Sequence, residues 1–168
     1  MAAESLDPMR EDRALRIIET TIELAEEGGF EAVRLRDVAA HAGVAMGTLY
    51  RRFRSKEDLL VAALEQETRA MAVRVAEKPP KGGTPSERVI EFFAMSTRGM
   101  LRRPNLSRAM FRASTAGEPA LADKVEIFHD LMLRMIVGAM RGEPIPPDMP
   151  AGFAAREKLV GDVLNKIW

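Results

Sequence analysis

The tightest constraint in this sequence is the spacing of its apolar residues, which recur every three or four positions along nearly its whole length. Ala14, Ile17, Ile18, Ile22 and Ala25 form one such set, and Leu35, Val38, Ala39 and Ala42 form another. Leu59, Leu60, Ala63 and Leu64 follow, and later Leu121, Val125, Phe128, Met132, Met135, Ile136 and Ala139. This is the period of a helix with one buried face. The valines and isoleucines never alternate as a half-buried strand requires, so the expected fold class is all-α. The 168 residues are 46% hydrophobic, enough for a core and too much for a disordered chain.

Breakers divide the pattern. Gly28-Gly29 stop a helix over 13–27, Gly43 stops a short one over 35–42, and a third spans 46–53 with Leu49 and Phe53 inward. Ser55 opens a long fourth helix to about residue 76, with Asp58 three positions on as in a capping box. "EKPPKGGTPSE" is a linker, and its Thr84-Pro85-Ser86-Glu87 restarts a helix with a capping threonine and proline at the first helical position. The inward set of that fifth helix is Val89, Ile90, Phe93, Met100 and Leu101. Pro104 begins a short helix to about 113, a longer one spans 119–141, and "EPIPPDMP" connects to a last helix starting near 151. That helix carries Phe153, Val160, Val163, Leu164 and Ile167, and the pattern is still running at Trp168. The intact protein is therefore expected to continue beyond that residue.

Several function classes are excluded. With no cysteine there is no disulfide scaffold, thiolate metal site or thiol nucleophile. His41 and His129 have no partners at metal-ligand spacing, and neither a nucleophile elbow nor a phosphate-binding glycine loop is present. No enzymatic activity, cofactor or metal is expected. No apolar run approaches the roughly 18 residues of a membrane span. "MAAESLDPMREDR" lacks the apolar centre of a signal peptide, so a cytoplasmic protein with no membrane partner is expected.

The informative segment is "GVAMGTLYRRFRSKEDL", residues 43–59. Two short helices joined by a glycine turn, with a supporting helix before them, make a helix-turn-helix. The second short helix would enter the major groove of DNA. With Leu49 and Phe53 inward, Ala45, Met46, Thr48, Arg51 and Arg52 face outward, and Gly47 lets the backbone come close. The formal net charge is zero overall, yet residues 34–56 hold six cations against Asp37, a local +5. Such a patch is the footprint of a phosphate-binding face. Lys56 in the first turn of a capped helix opposes the helix dipole, which makes sense if that end meets a phosphate. On spacing and charge alone, a solvated helical hairpin remains the competing reading.

"FEAVRLRDVAAHAGVAMGTLYRRFRSKEDLL", residues 30–60, resembles the DNA-binding domain of the TetR family of bacterial transcriptional repressors. The likeness is strong over about 13–64 and weak beyond. It implies an all-helical homodimer that binds a palindromic operator and releases it when a small molecule enters the C-terminal domain. Residues 1–55 would be the DNA-binding domain and 56–168 the effector-binding and dimerisation domain. By motif match, Tyr50 and Lys56 would contact phosphates, Thr48 and Gly47 would lie against the backbone, and Ala45 and Met46 near base edges. Arg34 stands where many members cap the second helix with threonine or serine, and Arg34, Arg36 and Arg51 add charge contacts. Ala45 stands where a hydroxyl is common. Members that regulate lipid or steroid breakdown share some of this motif.

The C-terminal half is rich in methionine, a side chain that fills irregular gaps and suits adaptable pockets. Phe92, Met95, Met100, Met110, Phe111, Phe128 and Met132 are candidate pocket residues, with His129 a possible polar contact and ordinary core packing the competing role of each. Phe92 and Phe93 are adjacent, so they cannot both lie at the centre of one helix face. The implied effector is apolar or amphipathic. The last two helices of the family form the dimer, and here one is cut short. The expected function is a ligand-responsive transcriptional regulator, a repressor. The alternatives are an activator of the same fold, or a small-molecule-binding helical protein with a vestigial helix-turn-helix, which would have no reason to keep the local +5.

Overall fold

The structure, a computed structural model, describes residues 8–145 and 152–167, with side chains over 11–145 and 152–164. Part of the proline-rich connection (146–150), the Ile167 side chain and Trp168 fall outside what is described. Eight α-helices are present among the described residues, and no strand: α1 (Pro8–Ala32), α2 (Leu35–His41), α3 (Met46–Tyr50), α4 (Lys56–Glu77), α5 (Pro85–Arg102), α6 (Pro104–Ser114), α7 (Ala122–Arg141) and α8 (Ala155–Ile167). A single 3-10 turn, Pro119–Leu121, precedes α7.

These elements form two compact units. The first takes residues 1–64 and 103–121; the second takes 65–102 and 122–168. The first unit is therefore discontinuous, because α6 packs along α1. Leu106, Ala109, Met110 and Ala113 are the buried residues of α6. Around them polar ties fix α6 to α1: Arg103 Nε donates to Glu26 Oε2 at 2.7 Å, and Asn105 Nδ2 donates to the Glu26 carbonyl at 3.1 Å. In α1 the helical path is broken at Gly29, whose φ of 68° lies in the left-handed region that glycine tolerates. The chain then places Phe30 and Glu31 beyond the kink.

The caps form as the sequence pattern implies. Asp58 N donates to Ser55 Oγ at 3.1 Å, and Asp58 Oδ2 accepts from Arg54 N at 2.9 Å, one residue before the cap. At α5, Glu87 N donates to Thr84 Oγ1 at 3.3 Å, and Glu87 Oε2 accepts from Thr84 N at 3.2 Å and Gly83 N at 2.7 Å.

The second unit is centred on α7. Its half from Leu131 to Ala139 is buried on nearly every side because α5 and α8 both pack on it. Phe92, Val75, Met132, Met135, Ile136 and Ala139 form one buried cluster. The inward face of α5 is thus rotated from the expected one. Phe92 and Ser96 are buried, Val89 and Phe93 partly so, while Ile90 and Leu101 are 68% and 72% exposed. Two overlapping periodic sets exist on α5, and the one holding the largest ring is buried.

Candidate functional site

The reader is assembled in the first unit. Gly43, at φ 65°, lets the chain reverse after α2, and Val44 N then donates to the Ala39 carbonyl at 3.0 Å. Leu49 and Phe53 are buried and anchor α3 and the turn after it. Helix α3 is shorter than its expected span, with residues 51 and 52 in a turn. With those anchors inward, Ala45, Gly47, Tyr50, Arg51 and Arg52 are exposed, and Met46 and Thr48 are half-buried. Tyr50 is 55% exposed although it carries the only phenol of the chain. Arg51 Nη2 donates to Thr48 Oγ1 at 3.0 Å, which orders both side chains on the outer face. A β-carbon added at Gly47 would meet no atom within 4 Å, so the backbone there is open to solvent. Arg34 caps α2 only through its backbone, its side chain making no capping hydrogen bond, and both Arg34 and Arg36 are exposed.

Lys56 is held more firmly than its neighbours. Its Nζ lies 3.1 Å from Glu31 Oε2 and 4.0 Å from the centroid of the Phe30 ring. Arg112, from α6, approaches the same pair: its Nη1 is 2.9 Å from Glu31 Oε1 and its Cζ is 3.9 Å from the Phe30 centroid. Lys56 first, and then Arg112, hold the Glu31 carboxyl below its ordinary value by hydrogen bonding and charge. Sequence spacing shows no link between residues 31, 56 and 112; a packed α1–α6 pair is needed to see it.

The second unit holds an apolar cavity of about 400 Å³. Val75, Leu131, Met135, Ala139 and Ile145 line it, with the linker residues Pro79 and Pro80 and the polar Arg69 and Glu143. The eight residues singled out as pocket candidates are not among its lining. Phe92 and Met132 are closed inside the core beside it, with Phe128 packed against that core. Met95 is half-buried on α5, and Met100, at the far end of α5, and His129 on α7 are exposed. Met110 and Phe111 belong to α6 in the first unit, Met110 buried and Phe111 63% exposed. Methionine content marked the apolar half of the chain without marking its hollow, because bulky side chains fill space, whereas small residues such as Ala72, Ala76, Gly138 and Ala139 leave it.

Arg88 braces that hollow. Its Nε and Nη2 donate to the Ala139 and Met140 carbonyls at 2.8 and 2.6 Å, and its Nη1 donates to the Gly82 carbonyl at 3.3 Å. It thereby caps the C-terminus of α7, where the dipole favours a cation, and ties the linker to it. Among the described residues no cluster of three or more His, Asp or Glu is placed to hold a metal, and no helix is long and apolar enough to cross a membrane.

Residues 17–63 match the family described as "Bacterial regulatory proteins, tetR family", and residues 82–164 match "Tetracyclin repressor-like, C-terminal domain". The HTH-type transcriptional repressor KstR of Rhodococcus jostii (strain RHA1) is 38% identical over 159 residues, 95% of this chain and 70% of that protein. The chain belongs to the TetR family. KstR of Mycolicibacterium smegmatis is 40% identical over 134 residues, covering 79% of this chain and 66% of its own length. The chain thus spans about two thirds of the length of these relatives. The crystal structure of a TetR transcriptional regulator from Rhodococcus sp. RHA1 superposes with a TM-score of 0.81 at 30% identity, over 95% of this chain and 81% of that one. A regulator with matches to both the reader and the C-terminal domain disfavours the reading of a vestigial helix-turn-helix.

Proposed function

We propose that this chain is a transcriptional repressor that binds a palindromic operator as a homodimer and leaves it when an apolar or amphipathic small molecule occupies the cavity of the second unit. The observation that carries the DNA half is the outer face of α3. Burial of Leu49 and Phe53 leaves Ala45, Gly47, Tyr50 and Arg51 facing outward beside Met46 and Thr48. Residues 1–55 read the DNA. Ala45 and Met46 lie near base edges, where an alanine or methionine packs on a thymine methyl. Gly47, Thr48 and Tyr50 lie against the sugar-phosphate backbone, and Arg34, Arg36, Arg51 and Lys56 supply charge. Residues 56–168 carry the effector cavity and the dimer surface, with α6 the part of that stretch that packs on the reader. The effector reading is supported by the apolar lining of the 400 Å³ hollow, which fits a hydrocarbon body, with Arg69 able to meet an anionic group.

The test is fluorescence anisotropy with a labelled duplex from the DNA upstream of the gene, run with and without long-chain fatty acids or sterol acids. Salt-dependent binding that these ligands reverse is the expected result. Binding insensitive to every apolar ligand but reversed by small polar ones sinks the effector half. A failure to bind any upstream duplex better than mixed-sequence DNA sinks the operator half.

A further inference from the structure

Lys56 is the one cation of the reading face that is built into a cluster, and the cluster includes a residue from far along the chain. Phe30 offers one ring to two cations, the Lys56 ammonium at 4.0 Å and the Arg112 guanidinium at 3.9 Å. Glu31 offers one oxygen to each, Oε2 to Lys56 and Oε1 to Arg112. A lysine paired alone with a glutamate is a neutral unit, with little pull on a phosphate. With Arg112 added, the three side chains carry a net +1. Lys56 also has three donors, of which Glu31 takes one. The geometry points to Arg112 as a positioning residue for DNA binding: by holding Glu31 it leaves the Lys56 ammonium, seated over Phe30, electrostatically free to take a DNA phosphate. This rests on the reading of Lys56 as a phosphate contact given above.

The arrangement follows from the fold. Gly29 turns the chain so that Phe30 and Glu31 come up to the first residue of α4. The packing of α6 on α1, fixed by Arg103 and Asn105 at Glu26, brings Arg112 to the same place. Arg112 is 61% exposed and Glu31 71%, so neither is needed to fill the core, whereas the Lys56 side chain is only 28% exposed. Cations held over an aromatic ring keep their charge while losing little rotamer freedom on binding.

The experiment compares wild type, R112M, E31Q, the double variant E31Q/R112M and K56M in the intact gene product. Anisotropy titrations use the labelled upstream duplex across a salt series, with thermal melts as the fold check. K56M is expected to weaken binding and to lower the salt slope by about 0.9, the value for one phosphate contact. R112M is expected to weaken binding about two- to fivefold at low salt, the scale of an exposed ion pair. E31Q is expected to tighten it by a similar factor. Because Arg112 acts through Glu31, its removal in the E31Q background is expected to change affinity by less than about twofold. An equal R112M loss in both backgrounds overturns the proposal, since Arg112 would then act on DNA directly. So does an R112M variant as tight as wild type while K56M is weak, or a melting-temperature fall that tracks the affinity loss with no rescue by E31Q. If wild type does not bind the duplex, or K56M binds as wild type does, the phosphate reading of Lys56 fails first and the role of Arg112 falls with it.

Discussion

Gly47→Ala separates the fold from the reading of DNA. Gly47 is the second residue of α3, its φ is not in the left-handed region, and a β-carbon there meets nothing within 4 Å. The protein itself has no reason to reject alanine. Alanine is the better helix former, by about 0.5–1 kcal/mol in a helix interior, so stability should hold or rise by a few tenths to 1 kcal/mol. In a chain of this size that is a melting-temperature gain of about 1–4 °C. On the DNA side the new methyl group stands where the backbone would approach closely. Pushing a phosphate out of hydrogen-bond range removes a charge-assisted bond, about 1.5–3 kcal/mol, or roughly ten- to hundredfold in affinity. Differential scanning fluorimetry and anisotropy on the same preparation read both quantities. An unchanged affinity beside a raised melting temperature would refute the close approach at Gly47 and move the DNA backbone elsewhere.

Three further outcomes are expected. Leu49→Ala empties a fully buried site between α3 and its support, and should cost about 2–5 kcal/mol in a thermal or urea melt, with DNA binding lost at temperatures where the wild type binds. Gly138→Ala puts a methyl group 3.0 Å from the Glu143 carbonyl oxygen and 3.4 Å from Ile145 N, so the 143–145 segment that lines the cavity must shift. The thermal stabilisation given by apolar ligands should fall while operator affinity without ligand stays within about twofold. Glu157, held by the bidentate Arg141 guanidinium at 2.8 and 2.7 Å and by the Ala154 amide, has its carboxyl lowered from 4.5 to about 2. Because the folded value is depressed, this pair's contribution is complete above about pH 4.5 and fades as the pH drops towards 2. Glu157→Gln should flatten that part of the profile in melts at stepped pH.

Much of this molecule was legible in order along the chain. Ser55 with Asp58 and Thr84 with Glu87 marked helix starts that form as written, because a capping bond is local and needs only residues within three positions. Leu49 and Phe53 were legible as anchors for the same reason, since one face of a short helix must be buried. The face of α5 was misread, because Ile90 and Leu101 satisfy a helical period as well as Phe92 does, and only the packing partner on α7 decides between them. The cluster at Glu31 and the hollow beside Val75 depend on residues 81 and more than 50 positions apart, and no local pattern encodes them.

The excursion of α6 has a consequence for how such a protein can be cut or recombined. The chain enters the first unit, leaves it within α4, returns for α6 and leaves again. A fragment ending after residue 64 would keep every residue proposed to face DNA, yet it would strip the cover from one flank of α1 and remove Arg112 from Glu31. A chimaera that transplants the reader through a single junction inherits the same defect. Exchange of DNA specificity between relatives therefore needs two segments moved together, or else confinement to α3 alone, where the burial of Leu49 on one side and open solvent on the other leave the lettering free to change.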